Sequence, residues 1–481
     1  MSAKLGKTAA DPHAEASPPA RIPLSARRGV LWPAVPAGPD AVVLALQAQL
    51  DASQWWPAEA VRALQLRQLE VLLAHAARTV PFYGPRLAPL KGLRRGELTL
   101  DHVRRLPILG RAELQEAGDA LASRRVPKDH GRTFEIRTAG STGQPVTVKG
   151  TAVTALFFRT LNLRYHIWHR RNFAGRVAAV RSLMTDEAAE AARKGKPRAW
   201  VQGYASGPSY TFDITRPVGE QLAWVRKIDP DYLMTFPSNL AALLRRAEAE
   251  GVELPRLKQV MTMSEVVDPA VRDACERVWG VRLVDIYSCQ EAGVVAIQCP
   301  DHRHYHVQAE NLLVEVLDED GRPCRPGGVG RVVLTDLHNF ATPLIRYELG
   351  DHAEVGPPCP CGRGLPVLNR VLGRSRNMLT LPSGDQIWPI GYFSESMMPI
   401  APVRQIQLVQ RSLETIEVKL VVARTLRPEE EAELRRYIVG CLGHPLALDF
   451  RYVDAIPRSA SGKYEDFISL VDADSVGAGP R

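Results

Sequence analysis

Short apolar runs alternate with amphipathic stretches through the middle of the chain. The apolar runs are residues 177–180, 232–235, 259–263 and 281–287, and the amphipathic stretches include residues 218–227 and 240–250. Runs of that length are typical of strands, whereas apolar residues at helical spacing are typical of helices packed on a sheet. The alternation therefore predicts an α/β body whose sheets are covered by helices, with a further long helix at residues 64–77.

The pattern becomes rich in strands beyond residue 312. Short strands are predicted at 313–316, 330–335 and 344–347, separated by glycine and proline turns. After Gly373-Arg374, a smaller unit is predicted from strands at 406–410, 415–422 and 449–453 and a helix at 428–442. We interpret the chain as α/β in class, with a flexible leader (1–40), a large body with a β-rich subdomain (41–372) and a small mobile α+β lid (373–481).

Composition limits the classes of function. With 481 residues, of which 45% are hydrophobic and 24% charged, the chain is long enough for two or three packed units. No apolar run approaches the roughly 20 residues that cross a bilayer, and no signal-peptide core is present, so a cytoplasmic protein without a membrane partner is predicted. The net charge of +8 is spread along the chain and interleaved with acids. A small anionic ligand or a solvated surface explains it without a nucleic-acid partner.

A loop of glycines and hydroxyl residues follows residues 132–137 and precedes residues 146–149, both strand-like. Its sequence is Thr138-Ala139-Gly140-Ser141-Thr142-Gly143-Gln144-Pro145. Glycines let backbone N–H groups turn toward an anion, and Thr138, Ser141 and Thr142 add hydroxyl donors, so the loop predicts phosphate binding by a nucleotide site. It is not the Walker pattern, because no Gly-Lys-Ser/Thr follows. A plain hairpin turn is the alternative.

Seven widely spaced cysteines argue against a disulfide framework. Three of them, Cys299, Cys359 and Cys361, combine with a histidine into a donor set suited to a structural zinc ion with tetrahedral ligands. His306 is the preferred imidazole because it directly precedes a strand-like run, and His304 is the alternative on the same face. Unrelated reduced thiols and surface histidines are the competing interpretation.

Three further motifs occur with the loop in a fixed order. They are Tyr287-Ser288-Cys289-Gln290-Glu291, Pro343-Leu344-Ile345-Arg346-Tyr347-Glu348-Leu349-Gly350-Asp351 and Pro457-Arg458-Ser459-Ala460-Ser461-Gly462-Lys463. Together they resemble the core motifs of the adenylate-forming superfamily of acyl-coenzyme A ligases. The phenylacetate-coenzyme A ligase branch is suggested by Val80-Pro81-Phe82-Tyr83, Leu106-Pro107-Ile108-Leu109 and Cys359-Pro360-Cys361-Gly362-Arg363. The resemblance runs from about residue 54 to 467, and some relatives in this branch bind zinc at a similar cysteine pattern.

The resemblance implies a ligase that uses ATP and Mg²⁺ to convert a carboxylic acid, of which an aromatic acid is one option, into an acyl-AMP. The acyl group then passes to coenzyme A, giving a thioester. Transfer to an amine or to a carrier-protein thiol is the first alternative, and a non-catalytic nucleotide-binding protein is the second. Retention of Glu291 and Lys463 counts against the second. The resemblance also leaves a homodimer open.

The resemblance assigns roles to single residues. Lys463 would bridge the attacking carboxylate and the α-phosphate, and Glu291 would hold Mg²⁺. Thr138 and the loop residues Gly140, Ser141, Thr142 and Gly143 would hold the outer phosphates. The nucleoside would contact Ser264, Glu265, Tyr287, Asp351 and Arg374, with Asp351 on the ribose hydroxyls and Tyr287 beside adenine.

Some positions depart from the family pattern or keep two interpretations. Ala139 and Cys289 stand where hydroxyl residues or glycine are common, and Ser375-Arg376-Asn377 replaces the usual acidic hinge. Residues 236–238 border the acyl pocket by resemblance, with core packing as the alternative. These departures leave the hinge residue and the acceptor open.

Overall fold

The computed structural model describes residues 21–138, 146–183, 197–374, 378–383, 386–387, 397, 400–458 and 464–471. The α-helices in these residues are α1 (Gly38–Ser53), α2 (Ala58–Thr79), α3 (Tyr83–Arg86), α4 (Leu100–Arg104), α5 (Arg111–Ala117), α6 (Ala152–Trp168), α7 (Val218–Ile228), α8 (Pro237–Glu250), α9 (Pro269–Trp279) and α10 (Pro428–Leu442). Within these described ranges, no helix is long and apolar enough to cross a membrane.

The strands fall into one large sheet and smaller ones. Those of the body and the segment after it are β1 (Phe134–Arg137), β2 (Thr147–Gly150), β3 (Val177–Arg181), β4 (Arg198–Ala199), β5 (Pro208–Asp213), β6 (Tyr232–Thr235), β7 (Gln259–Met263), β8 (Arg282–Cys289), β9 (Gly293–Gln298), β10 (Tyr305–Val307), β11 (Leu312–Leu317), β12 (Val329–Asp336), β13 (Tyr347–Val355), β14 (Val367–Arg374), β15 (Leu379–Thr380) and β16 (Gln386–Ile387). Those near the C-terminus are β17 (Val403–Gln410), β18 (Thr415–Val422), β19 (Ala447–Tyr452) and β20 (Phe467–Ser469).

A twelve-stranded sheet forms the body, in the order β11-β12-β13-β14-β10-β9-β8-β7-β6-β3-β5-β4. Its strands β5, β3, β6, β7 and β8 run parallel. Helices α7, α8 and α9 connect β5 to β6, β6 to β7 and β7 to β8, so each of these connections returns the chain to the same end of the sheet. From β8 to β11 the neighbours are antiparallel. The change from an α/β half to a β-rich half matches the change of pattern along the sequence.

Each half of the sheet has its own hydrophobic core. Helices α7, α8 and α9 cover the parallel half. The core between helices and sheet includes Leu222, Leu240 and Cys275 from the helices and Val260 and Leu283 from the strands. Helix α2 packs on the antiparallel half, where Leu69, Leu72, Val332, Leu334 and Tyr347 belong to one cluster. The spacing of these apolar residues on one helical face is what places each helix on the sheet.

The C-terminal unit, which we call the lid, is a separate small sheet that helix α10 covers in the described residues. Its strands are ordered β19-β18-β17-β20, and α10 contributes Leu434 and Ile438 to a core that includes Leu408, Leu420 and Phe467. The predicted fold class, a large layered α/β body followed by a smaller α/β unit, is confirmed. The boundary at residue 373 and the mobility of the lid stay predictions.

The strand predicted at residues 344–347 is wrong, because the strand begins only at Tyr347. Arg346 has φ 50, a left-handed conformation that interrupts a strand. The residues before Tyr347 are held by side chains instead. The Ile345 N–H donates to the Tyr83 hydroxyl over 3.2 Å, and the Arg346 N–H donates to Thr335 Oγ1 over 2.9 Å. These contacts fix the path of the chain toward β13.

Part of the predicted leader contacts the body. Arg21 Nη2 donates to the carbonyl of Ile167 over 3.3 Å, and the Leu24 N–H donates to the carbonyl of Gly203 over 2.9 Å. Helix α1 begins at Gly38, so the last three residues of the predicted leader are helical. Residues 1–20 lie outside the described residues, and the domain boundary at residue 40 stays a prediction.

Candidate active site

A cleft of about 2350 Å³ lies between the lid and the body. The carboxyl ends of the parallel strands open into it, since Arg181, Met263 and Cys289, the last residues of β3, β7 and β8, all line it. The lid contributes Arg404 and Arg458. A crevice at the carboxyl ends of parallel strands is the usual ligand site of an open α/β sheet.

Three residues that were predicted to contact the nucleoside lie together, although they come from the separate strands β8, β13 and β14. The hydroxyl of Tyr287, on β8, donates to Asp351 Oδ2 over 2.8 Å. Asp351 on β13 is paired in register with Arg374 on β14, and Arg374 Nε is 3.5 Å from Asp351 Oδ1. Burial, and then the nearby Asp351 carboxylate, raise the pKa of Tyr287 well above its ordinary value, so the phenol stays a donor. The structure thus brings together three residues that the sequence placed at the nucleoside.

A second cluster surrounds Glu291, which follows β8 and is buried. Arg111 Nη1 is 3.5 Å from Glu291 Oε1, and the hydroxyl of Tyr347 donates to the same oxygen over 3.4 Å. Arg111 Nη2 donates to Thr138 Oγ1 over 3.3 Å. One guanidinium therefore connects the predicted magnesium ligand to the first residue of the predicted phosphate loop.

Arg111 was not among the predicted site residues. It begins helix α5, two residues after the Leu106-Pro107-Ile108-Leu109 motif. The Leu109 N–H donates to the carbonyl of Arg346 over 2.8 Å, and the Glu348 N–H donates to the carbonyl of Leu109 over 3.0 Å. This pairing places the start of α5 beside β13. The Leu106-Pro107-Ile108-Leu109 motif was the signal in the sequence next to Arg111, but it indicated the family and not a site residue.

The thiol of Cys289 lies at the same end of β8. Burial, followed by the neighbouring Glu291, raises its pKa well above the ordinary value. The same two causes, in that order, raise the pKa of the Tyr347 phenol. Both groups therefore stay protonated and uncharged at neutral pH.

The predicted phosphate loop connects the two strands of a hairpin, and Thr138 is its described residue. Strands β1 and β2 are antiparallel, the Thr138 N–H donates to the carbonyl of Val146 over 2.9 Å, and the Val146 N–H donates to Thr138 Oγ1 over 2.8 Å. Gly140, Ser141, Thr142 and Gly143 lie outside the described residues, as do Ala139, the hinge residues 375–377 and Lys463. Their predicted roles stay predictions.

Ser264 and Glu265 line the cleft directly after β7. Ser264 has φ 71, which turns the chain sharply there. Glu265 Oε2 accepts from the Ser238 N–H over 2.9 Å, and Glu265 Oε1 accepts from the Tyr464 N–H over 2.8 Å. The carboxylate predicted to line the adenine pocket therefore also contacts the lid.

The predicted metal ligands form one group away from these contacts. The ligand atoms of Cys299, His306, Cys359 and Cys361 all lie within 4.8 Å of one another. Cys299 Sγ is 3.9 Å from Cys359 Sγ, and Cys361 Sγ is 3.4 Å from His306 Nε2. A tetrahedral zinc ion with thiolate and imidazole bonds separates its ligand atoms by roughly 3.5–3.8 Å. The four atoms therefore fit that ion.

His304, the alternative imidazole, lies beside this group with its Nε2 2.9 Å from Cys359 Sγ. Arg363 closes the other side, since its Nη1 donates to Cys361 Sγ over 3.4 Å and its guanidinium lies 4.6 Å from the ring centre of Trp168. Burial, followed by Arg363, lowers the pKa of His306 to about 3. The imidazole is therefore neutral, as a metal ligand must be.

Comparisons with known proteins agree with the motifs. Residues 203–341 match the family described as AMP-binding enzyme, and residues 382–469 match the CapK C-terminal domain. Phenylacetate-coenzyme A ligase of Thermus thermophilus is 27% identical over 395 residues, which cover 76% of this chain and 82% of that ligase. The ligase of that name from Pseudomonas putida is 24% identical over 419 residues, which cover 82% and 89%. The predicted resemblance to phenylacetate-coenzyme A ligases is confirmed.

Solved structures show the same fold. A 2-hydroxyisobutyryl-CoA ligase in the postadenylation state with 2-HIB-AMP superposes with a TM-score of 0.68 at 18% identity, covering 89% of this chain and 92% of that one. The same ligase with 2-HIB-AMP and CoA in the thioesterification state gives a TM-score of 0.55 at 18% identity, covering 87% and 91%. The likeness extends over both the body and the lid.

Proposed function

We propose that this phenylacetate-coenzyme A ligase-like chain uses ATP to activate a carboxylic acid as an acyl-AMP and then forms the coenzyme A thioester. The observation that carries the proposal is the convergence of two clusters on one cleft. Tyr287, Asp351 and Arg374 meet at one point, and Glu291, Arg111 and Thr138 meet at another. The first is suited to a nucleoside, and the second to phosphates.

The nucleoside cluster would recognise the ribose. Asp351 is a charged acceptor at the edge of the cleft, and its two oxygens match the two ribose hydroxyl donors. Tyr287 and Arg374 already contact those oxygens, so they hold the carboxylate in one orientation before ATP binds. Preorganisation of this kind lowers the cost of ordering the site at each turnover.

The phosphate cluster would hold negative charge during the first half-reaction. Arg111 points its guanidinium toward Thr138, where the predicted phosphate loop begins, and can donate to phosphate oxygens from there. Glu291 offers a buried carboxylate in the cleft, a hard oxygen donor that suits Mg²⁺. When bound, Mg²⁺ would neutralise phosphate charge as pyrophosphate leaves.

Lys463 would complete the first half-reaction from the lid. Its neighbour Tyr464 is bonded to Glu265 of the body, so the chain at this point is beside the cleft. A cation there stabilises charge on the acid carboxylate and the α-phosphate as the bond between them forms. The carboxylate attacks the α-phosphorus, the bond to pyrophosphate breaks, and the coenzyme A thiol later displaces AMP after losing its proton.

The acid would lie against the apolar part of the cleft. Phe158 is 51% exposed there, and Phe236 and Met263 also line the cleft. An aromatic ring would cover these side chains and remove apolar surface from water. We therefore propose an aromatic acid as the substrate, with residues 236–238 at its pocket.

The cysteine-histidine group would hold a structural Zn²⁺ through Cys299, His306, Cys359 and Cys361. A set of four protein ligands leaves no position for substrate, so the ion would tie β10 and the segment after β9 to the turn at residues 359–363. The cytoplasmic location and the homodimer remain predictions from sequence.

A panel of carboxylic acids, beginning with phenylacetate, tests the proposal. Purified protein is mixed with ATP, Mg²⁺ and each acid, and pyrophosphate release is measured. Coenzyme A, hydroxylamine and no acceptor are then compared by mass spectrometry of the product. Acid-dependent pyrophosphate release and a thioester in the coenzyme A arm are expected. Pyrophosphate release without coenzyme A capture would point to another acceptor, and no release with any acid would contradict adenylation.

A paired substitution tests the role of Glu291. Glu291→Gln should raise the Mg²⁺ concentration needed for half-maximal pyrophosphate release, because an amide is a weaker ligand for a hard cation. Glu276→Gln, at an exposed position on α9, is the matched control. An unchanged Mg²⁺ dependence in Glu291→Gln would remove the carboxylate from the metal site.

A further inference from the structure

The Glu265 carboxylate contacts both the body and the lid. Each of its oxygens accepts a backbone N–H, one from Ser238 at the start of α8 in the body and one from Tyr464 in the lid. Its side chain is 9% exposed. A buried carboxylate that holds one main-chain donor from each side fixes the distance between the two segments.

A second contact crosses the same boundary. Arg458 Nη1, in the lid, donates to Ser238 Oγ over 2.8 Å and lies 3.8 Å from Glu265 Oε1. The guanidinium supplies the positive charge that the Glu265 carboxylate needs in a buried position. The segment from 458 to 464 is therefore anchored to the body at both of its described ends.

The anchored segment is also tied to the core of the lid. The hydroxyl of Tyr464 donates to the carbonyl of Ile406 over 2.6 Å, and the Leu408 N–H donates to the carbonyl of Asp466 over 2.8 Å. Ile406 and Leu408 both belong to β17, which lies beside β18 in the middle of the lid sheet. Displacement of Tyr464 from Glu265 would therefore displace the lid as a unit.

We propose that Glu265 is a positioning residue for adenylation, which docks the lid on the body by holding the Tyr464 N–H. This inference rests on the proposed function and goes beyond it. Lys463 directly precedes Tyr464 in sequence, so the Tyr464 N–H that Glu265 holds belongs to the peptide bond joining Tyr464 to this lysine. Glu265 acts through the lid and touches neither ATP nor acid in this role.

Hydrogen exchange tests docking without any knowledge of the substrate. In the free wild-type protein, the Tyr464 amide is expected to be protected, and in Glu265→Ala it should exchange at least about tenfold faster. Glu253→Gln, an exposed acid beyond the end of α8, is the control and should exchange as the wild type does. Unchanged protection in Glu265→Ala would overturn the docking role.

The two half-reactions test positioning. Glu265→Ala should slow acid-dependent pyrophosphate release by about tenfold to a hundredfold, because small displacements of a reacting group are costly. Thioester formation from synthetic acyl-AMP and coenzyme A should change by less than about twofold, because that step uses another lid orientation. Glu265→Gln, which keeps only one acceptor oxygen, should lie between wild type and Glu265→Ala. Equal slowing of both half-reactions would show a merely structural role and contradict the proposal.

A double substitution separates this inference from the proposed function. If Glu265 acts through Lys463, then adding Glu265→Ala to Lys463→Ala should slow pyrophosphate release by less than about twofold further. A full additional loss would show that Glu265 acts independently of the lysine. Absence of acid-dependent pyrophosphate release from the wild type would contradict the proposed function, while hydrogen exchange of Tyr464 would still decide whether Glu265 docks the lid.

Discussion

The two walls of the cleft are held together in different ways. On the body wall, Tyr287, Asp351 and Arg374 come from strands β8, β13 and β14 of one sheet, and Tyr287 and Arg374 both contact Asp351. On the lid wall, the described contacts through Glu265 and Arg458 cross between two separate hydrophobic cores. The residues on the body wall are thus joined within one sheet, whereas those on the lid wall are joined across the boundary between two units.

The difference has an energetic basis. The body clusters are supported by strand pairing and by buried apolar side chains, which make their separation equivalent to unfolding. The lid keeps its own core through Leu408, Leu420 and Leu434, so its polar contacts with the body can break while each unit stays folded. We therefore expect substitutions within the body clusters to affect stability or both half-reactions, and substitutions in the lid or at its contacts with the body to affect one half-reaction.

The largest expected effect is that of Lys463→Ala on the lid side. Removing a cation that stabilises the transition state should slow pyrophosphate release by about a hundredfold or more, with folding and ATP binding nearly unchanged. Thioester formation from synthetic acyl-AMP should be much less affected. Unchanged pyrophosphate release would show that Lys463 does not act in adenylation. It would also contradict the proposed difference between the two walls.

Cys359→Ser tests the body side. Loss of one thiolate from a set of four protein ligands should release zinc and lower the free energy of unfolding by about 2 kcal/mol or more. The ratio of the two half-reaction rates should stay as in the wild type, because the group lies away from the cleft. Zinc content and thermal unfolding measure the effect, with Cys441→Ser, on α10, as the cysteine control. Wild-type protein purified without stoichiometric zinc would contradict the metal site.

Arg376→Pro tests the boundary between the walls. Proline restricts φ at the predicted pivot and should hinder rotation of the lid. Thioester formation is expected to slow by about tenfold more than adenylation, a difference of about 1.4 kcal/mol in barrier. The two steps are measured separately, from acyl-AMP and from acid with ATP. Equal slowing, or none, would place the hinge elsewhere.

The smallest expected effect concerns pH. Burial, and then the neighbouring Glu265, raise the pKa of Asp466 in the lid from 3.8 to about 7; Asp268, Arg458 and Arg245 of the surrounding elements also face it. The docked lid therefore binds this proton more tightly than an undocked lid would. Docking should be strongest at a pH at or below 3.8, the ordinary pKa of the Asp466 carboxyl group. It should weaken as the pH rises toward 7 and stay constant above that.

Asp466→Asn measures this dependence. Because part of the burial comes from the strands of the lid itself, we expect only about a threefold change in the ratio of adenylation to thioester formation between pH 5.5 and 7.5. The Asn variant should lose most of that change, with Glu265 supplying the remainder because its pKa is also raised by burial. An identical pH profile in wild type and Asp466→Asn would show that Asp466 does not sense docking.

Local sequence chemistry was enough for some parts of the site. The grouping of Tyr287, Glu291 and Asp351 was predicted through the family resemblance, because each of their motifs is recognisable in a short stretch of sequence. Cys359 and Cys361 flank a proline, and their donor chemistry alone indicated a metal site. By contrast, the motif that precedes Arg111 indicated only the family, and the position of Arg111 depends on the pairing of Leu109 with β13.

The sequence by itself determined the alternation of strands and helices, the order of the motifs and the donor types at the cleft, because each depends on the side chain and its nearest neighbours. Only the tertiary structure decided where β13 begins, since Tyr83 holds the Ile345 N–H and Thr335 holds the N–H of the left-handed Arg346. It also decided that Arg111 lies between Glu291 and Thr138, and that Glu265 joins Ser238 to Tyr464. These contacts span tens to hundreds of residues, and no local pattern specifies which distant partner a buried charge will meet.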